Sequence, residues 1–182
     1  MEIKLATHSD ELYQILAIQK ENHYQNLADN SKNDKGFVTV MHSFEMLDKM
    51  NSKAPQIIAK KNNKVIAYAL VMLCEFKNLI PALIPMFETI EKLEFKEEKL
   101  NKFNYYVMGQ ICVADDYKRR GIFAKLYFKH KEVYSPLFDY CITEVSSSNV
   151  PSMLAHKKVG FQTIHTYKDA TNEWHILLWD WK

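Results

Sequence analysis

Nine residues dense in β-formers, YYVMGQICV from Tyr105 to Val113, are followed seven residues later by the helical pattern of GIFAKLYFKHKEVY. Phe123, Leu126, Tyr127 and His130 fall at i, i+3, i+4 and i+7 of that second stretch, which is one face of an α-helix. The joint between them, ADDYKRR and then Gly121, places Lys118, Arg119 and Arg120 directly before a glycine. A strand that turns into a helix there leaves the backbone N–H groups of Arg119 to Ala124 without helical partners, pointing at whatever lies in front of them. Basic side chains add charge to such a place, and glycine removes the Cβ that would hold an anion off. The pattern reads as a phosphate-type turn, with a solvated basic loop as the alternative.

The flanking segments give this unit a setting. EIKLA reads as an opening strand, Ser9 or Asp10 as the cap of a helix carrying Leu12, Ile15, Leu16 and Gln19, and SFEMLDKM as a second helix. PQIIAKKNNKVIAYALVMLCEF reads as two strands around an Asn62-Asn63 turn. Between residues 77 and 104, Pro81 and Pro85 break the start of an apolar helical stretch of about three turns. That helical insertion is either a lid or substrate wall, or simply packed against the rest. DYCITEV, FQTIHTY and EWHILLWDW read as strands, and NVPSMLAHKKVGF as a helix capped by Asn149 and closed by Gly160.

At 182 residues the chain is sized for one domain, and its 25% charged and 47% apolar composition is that of a globular protein. A formal charge of +2 supplies no global field for nucleic acid or an anionic membrane, so neither is expected as a partner. The N-terminal residues lack a signal-peptide pattern and no apolar run reaches membrane-spanning length, which points to the cytoplasm. Cys74, Cys112 and Cys141 are odd in number and set in apolar segments, fitting buried thiols better than disulfides or a metal site. Neither GxGxxG nor GxxxxGKS occurs, which removes a Rossmann fingerprint and a Walker loop.

Two further residues attract a chemical reading. Glu144 stands near the end of a strand and His156 two turns into the next helix, a carboxylate and an imidazole that a cleft could bring together. Taken singly, a surface glutamate and a packed histidine explain them as well.

Taken in order, the hairpin, the long strand, the basic glycine turn with its helix, the next strand and the Asn-capped helix ending in Gly-Phe resemble the GNAT superfamily of acyl-CoA-dependent N-acetyltransferases. The resemblance is specific from Tyr105 to Phe161 and one of order and length elsewhere. It implies a single-domain α/β fold over residues 1–182, with a mixed, mostly antiparallel sheet of six to seven strands, splayed at a central parallel pair and flanked by helices on both faces. It implies acetyl-CoA as co-substrate, with no metal, and a primary amine as acceptor, in a monomer or homodimer. VADDYKRRGIFAKLY is similar to the family's pyrophosphate turn [RQ]-x-x-G-x-[GA], so the resemblance assigns the cofactor to Lys118, Arg119, Arg120, Gly121, Ile122 and Phe123. Backbone groups of Ile111, Cys112 and Val113 would meet the pantetheine arm, and Asn149 opens the helix beside it. Glu144, five residues before Asn149, is placed as the general base. His156 falls where many members carry a tyrosine that protonates the leaving thiolate, and Ser152 replaces an alanine. Lys118 keeps the charge of the usual Arg or Gln position but loses the planar fork. Phe123 occupies a usually small position, so its ring must turn away from the phosphates. Tyr105, Tyr106 and Gln110 on the long strand either line the cleft or pack the sheet. Substrate walls are expected from residues 22–44 and 79–104. The alternatives to catalysis on such a fold are a non-catalytic acyl-CoA-binding module and a protein-interaction scaffold.

Overall fold

The computed structural model describes residues 1–27, 36–170 and 172–182. Part of the expected 22–44 substrate wall therefore lies outside the described residues. The strands are β1 (Glu2–Leu5), β2 (Ile57–Lys61), β3 (Lys64–Met72), β4 (Glu94–Phe95), β5 (Glu98–Lys99), β6 (Tyr105–Val113), β7 (Tyr140–Ser146), β8 (Gln162–Lys168) and β9 (Glu173–Asp180). The α-helices are α1 (Ser9–Glu21), α2 (Phe44–Lys53), α3 (Ile84–Ile90), α4 (Ile122–Tyr134) and α5 (Val150–Val159). Seven strands form one sheet in the order β1-β2-β3-β6-β7-β9-β8, and β4-β5 is a separate two-stranded ribbon. All pairs in the large sheet are antiparallel except β6 with β7.

Alternation along the strands divides the core. Ile57 and Ala59 pack with Leu126, Tyr127 and Tyr134 of α4, while Ile58 between them packs with Leu12 and Ile15 of α1 and Leu47 of α2. Asn62 and Asn63 both take left-handed backbone conformations, φ 50° and 61°, which is how the β2–β3 hairpin closes in two residues.

The cap of α1 differs from expectation. His8 holds the N-cap position with Ser9 and Asp10 inside the first turn, and Glu11 reaches back to the N–H groups of Thr7 (2.8 Å) and His8 (3.3 Å). Burial alone would raise the Glu11 pKa. Ion pairs with Lys60 at 2.8 Å and Lys4 at 2.9 Å, with those two N–H groups, outweigh it and bring the carboxyl to about 2. One carboxylate thus fastens β1, β2 and α1 together.

The insertion is also less helical than its sequence suggests. α3 runs only seven residues, with Pro85 in its first turn, and the charged tail folds into β4 and β5 around Lys96 and Glu97 at positive φ. The helix stops at Ile90 after about two turns, and the left-handed pair makes the turn between β4 and β5. Met86, Phe87, Ile90 and Leu100 bury themselves against Tyr105, Val107, Tyr140 and Ile142, so the insertion covers the sheet over the β6–β7 pair. No described helix is long and apolar enough to cross a membrane.

Candidate active site

β6 and β7 pair in parallel at Tyr105–Tyr140, Tyr106–Cys141 and Val107–Ile142 and then part. The Thr143 hydroxyl donates to the Met108 carbonyl at 2.9 Å, a last stitch across the gap. Past it, β6 from Gly109 to Val113 has no strand on its β7 side. A bulge adds to the divergence. Leu70 faces Gln110 and Val71 faces Met108, so Gly109 is the extra residue and β6 bends there. The result is a stretch of strand edge whose backbone donors and acceptors face a cleft instead of a neighbouring strand.

Two connected hollows occupy the cleft. A groove of about 710 Å³ runs along Ile111, Cys112 and Val113 to the basic turn and is bounded on the other side by α5. A cavity of about 330 Å³ lies on the side of Glu144, Tyr167 and Met86. Phe37, Val38, Ile111, Asn149 and Ser152 line both, so the two form one passage through the splayed sheet.

At the groove's outer end the turn has the expected geometry. Gly121 takes φ 73° as the N-cap of α4, and a Cβ built on it would meet nothing within 4 Å. Glycine is needed there for its left-handed backbone and for the open space it leaves in front of the helix N-terminus. Arg119 is also left-handed, at φ 61°. Lys118, Arg119, Gly121, Ile122 and Phe123 all line the groove. Arg120 does not, since its guanidinium lies over the Tyr117 ring at 5.4 Å. Lys118 Nζ bonds to Asp115 at 2.7 Å and to the Asn22 side chain at 3.2 Å. The Phe123 ring packs against Tyr127 and His156, centroids 5.2 and 5.1 Å apart, and so turns toward the core.

The roof over the passage is the segment from Phe37 to His42. Asn149 Nδ2 donates to the Phe37 carbonyl (3.0 Å), and Val38 exchanges backbone bonds with Asn22 and Tyr24. Gln110 Nε2 donates to the Val40 carbonyl (2.9 Å), while Gln19 Oε1 accepts from the His42 N–H (2.7 Å). Gln19 Nε2 in turn reaches Gln110 Oε1 at 2.6 Å. Gln110 therefore does line the cleft, Tyr105 and Tyr106 do not, and a buried amide network ties the roof to the sheet floor.

Glu144 lies on β7 opposite Ile176 of β9, with its carboxylate in the cavity. Burial pushes its pKa up to about 7. A hydrogen bond from the Tyr167 hydroxyl works in the opposite direction, and the nearby Asp169 charge adds to the rise. Asp169 accepts from the Trp174 indole at 2.7 Å, and both line the same cavity. Tyr167, Asp169 and Trp174 were not singled out from sequence. Their only signal is the pairing of β8 with β9, which sets Tyr167 opposite Trp174.

His156 is buried, at the wall of the cavity. Its Nε2 lies 2.6 Å from the Tyr127 hydroxyl and its Nδ1 2.8 Å from the Ser152 carbonyl, and desolvation lowers its pKa to about 4. The ring is neutral at pH 7 with both nitrogens engaged. That geometry fits the packed reading of His156 and leaves it no proton to spare for a thiolate. Cys112 and Cys141 are buried, and burial pushes both thiols up to about 12.

No protein-family model matches the sequence, and no curated protein matches it. Solved structures do match in three dimensions. The ribosomal-protein-S18-alanine N-acetyltransferase from Escherichia coli superposes with a TM-score of 0.62 at 16% identity, covering 98% of this chain and 92% of that one. Naa20 from Chaetomium thermophilum, in complex with a bisubstrate analogue, gives 0.67 at 11%, covering 99% and 86%. The NatC complex bound to Gag peptide and CoA gives 0.66 at 12%, covering 100% of both chains. The fold is the GNAT fold. Seven strands with one parallel pair, splayed past Val107, are its realisation in this chain.

Proposed function

We propose that this GNAT chain is an acetyl-CoA-dependent N-acetyltransferase that carries an acetyl group to a primary amine. The observation that carries the reading is the single passage joining an anion-type helix N-terminus to a buried carboxylate with a pKa of about 7. The similar NatC and Naa20 structures hold CoA and a bisubstrate analogue, which supports acetyl-CoA as the co-substrate. Free, unpaired cysteines fit a reducing compartment such as the cytoplasm.

Bound acetyl-CoA supplies an activated acyl group and a thiolate that can leave. The protein supplies position and charge. The N-terminus of α4, with Lys118 and Arg119, receives the pyrophosphate, and the unpartnered edge of β6 at Ile111, Cys112 and Val113 receives the pantetheine amides. Backbone N–H groups of the same edge face the carbonyl oxygen, where negative charge develops during attack. Glu144 accepts the proton from the amine, directly or through water, and its pKa of about 7 places it near the working pH of a general base. The alanine, methionine and proline walls from Ala82, Met86 and Pro85 exclude water on the acceptor side.

Two variants test this. Gly121→Val projects a branched side chain into the space where phosphates would sit, at a backbone cost of about 1–2 kcal/mol, and should abolish acetyl-CoA binding in calorimetry on protein shown to be folded by circular dichroism. Glu144→Gln should lower kcat at neutral pH with acetyl-CoA binding intact, and recover in part at high pH where free amine is abundant. Acetyl-CoA binding without turnover in a broad amine screen would instead make the chain an acyl-CoA-binding module. Absence of any binding would leave the interaction scaffold.

A further inference from the structure

Five residues line both halves of the passage, and only two of them, Asn149 and Ser152, have polar side chains. Asn149 is committed. Its Nδ2 donates to the Phe37 carbonyl at 3.0 Å and its Oδ1 caps α5 through the Ser152 N–H at 3.4 Å. Ser152 is different, because among the described residues its hydroxyl contacts only His156 Nδ1, at 3.2 Å.

The reason lies in the tautomer of His156. The Ser152 carbonyl, 2.8 Å from Nδ1, can only accept, so Nδ1 carries the ring's hydrogen. Nε2 then presents a lone pair to the Tyr127 hydroxyl at 2.6 Å, and Tyr127 has one hydrogen to give. The same Nδ1–H also faces Ser152 Oγ at 3.2 Å and meets a lone pair of that oxygen. The serine hydroxyl is thereby held as an acceptor on the ring side, with its own O–H turned toward the junction of groove and cavity. The His156 and Tyr127 rings are both buried, so this orientation is fixed from behind by packing.

We propose that the Ser152 hydroxyl is the hydrogen-bond donor to the sulfur of CoA at this junction, with His156 and Tyr127 as positioning residues. The inference rests on the acetyl-transfer reading above, because the thioester must sit where groove and acceptor cavity meet. In the reaction the C–N bond forms, the C–S bond breaks and its electron pair stays on sulfur, while the amine proton passes to Glu144. Serine keeps its proton throughout, since an alkoxide is far less stable than a thiolate. The contact is S⁻···H–O, and solvent supplies the proton that finally neutralises the released thiol.

CoA itself is the probe, which removes the need for an acceptor. Calorimetry with CoA and with desulfo-CoA, from about pH 6 to about pH 9.5, spans the ordinary thiol pKa of about 8.5. The affinity of the parent protein for CoA should rise about tenfold or more as the thiol ionises, because hydrogen bonds to charged groups are the strong class. Its affinity for desulfo-CoA should follow no such rise. Ser152→Ala should lose the rise while still binding desulfo-CoA, which also shows that the variant is folded. Ser152→Thr should keep it, and His156→Phe should reduce it by leaving the hydroxyl unoriented. A rise that persists in Ser152→Ala, or a parent that binds CoA with no rise, overturns the role of Ser152 and leaves the cofactor groove standing. A parent that binds neither ligand at any pH overturns the acetyl-transfer reading itself.

Discussion

Mild acid should destabilise this protein, and the structure sets both the sign and the size of the effect. His42, His130 and His156 are buried, and desolvation lowers their pKa values to about 4, 3 and 4. In the unfolded chain each titrates near 6.5, so below that pH unfolding takes up to three protons. Stability from these groups is present above pH 6.5 and is lost as pH falls toward 4. Glu144 opposes them. Its folded pKa of about 7 exceeds the ordinary 4.5, so between those values the folded state holds one proton that the unfolded state releases. Near pH 5.5 the balance is about two protons gained on unfolding, a slope of about 3 kcal/mol per pH unit. Integrated from pH 6.5 down to about 5, the loss is about 3 kcal/mol, against a total of about 5–15 for a typical domain. Urea titrations followed by tryptophan fluorescence at the two pH values should show the midpoint fall by about 1–2 M at an m-value of about 2 kcal/mol/M. His156→Phe should flatten the slope by about 1.4 kcal/mol per pH unit even if it is less stable at pH 7. A midpoint that holds steady or rises on acidification would refute the burial of neutral histidines as described.

Three other outcomes follow from specific contacts. Tyr167→Phe removes the hydroxyl that favours ionised Glu144, so the acid limb of kcat/KM should move to higher pH by about one unit, measured as a pH–rate profile. Lys118→Ala should weaken acetyl-CoA several-fold in low salt and much less at about 1 M salt. It should cost only about 1 kcal/mol of stability, because Lys118 is part-buried but its partner Asp115 is exposed. Gly160→Ala would place a Cβ 2.9 Å from the Trp179 indole nitrogen at φ 123°, and thermal unfolding should show a loss of about 2 kcal/mol or more.

The parts of the site that were legible in sequence are those written in local signals. The turn at Gly121 announces itself by a left-handed glycine between a β-rich run and a 3.6-residue period, and α5 by an asparagine cap and a closing glycine. Glu144 stood out by its place near the end of a strand, and the resemblance alone gave meaning to its spacing from that cap. What could not be read depends on distant pairing. Tyr167 and Trp174 reach the cavity because β8 and β9 close the far edge of the sheet, and the roof from Phe37 to His42 has no periodic pattern at all. It is placed by Gln19 and Gln110, 91 residues apart in sequence. The difference between a histidine that donates protons and one that is locked was equally hidden, since it turns on Tyr127 in another helix.

The sparse parallel seam has a consequence for assembly. Every strand from β1 to β6 comes from the first 113 residues, and β7, β8 and β9 all come after residue 139, so each remaining ladder closes within one contiguous part of the chain. α4 packs on β1, β2, β3 and β6, and α5 on β7. The molecule is thus two sequence-local halves whose sheets meet over three residue pairs, held also by the α4–α5 contact, the Thr143–Met108 and Asn149–Phe37 hydrogen bonds, the insertion's cover over Tyr140 and Ile142, and the aromatic cluster of Tyr106, Tyr127, Phe161, Trp179 and Trp181. Co-expressed fragments 1–135 and 136–182 should complement each other, and any ligand spanning the gap would act as a clamp that raises the yield of the reassembled pair.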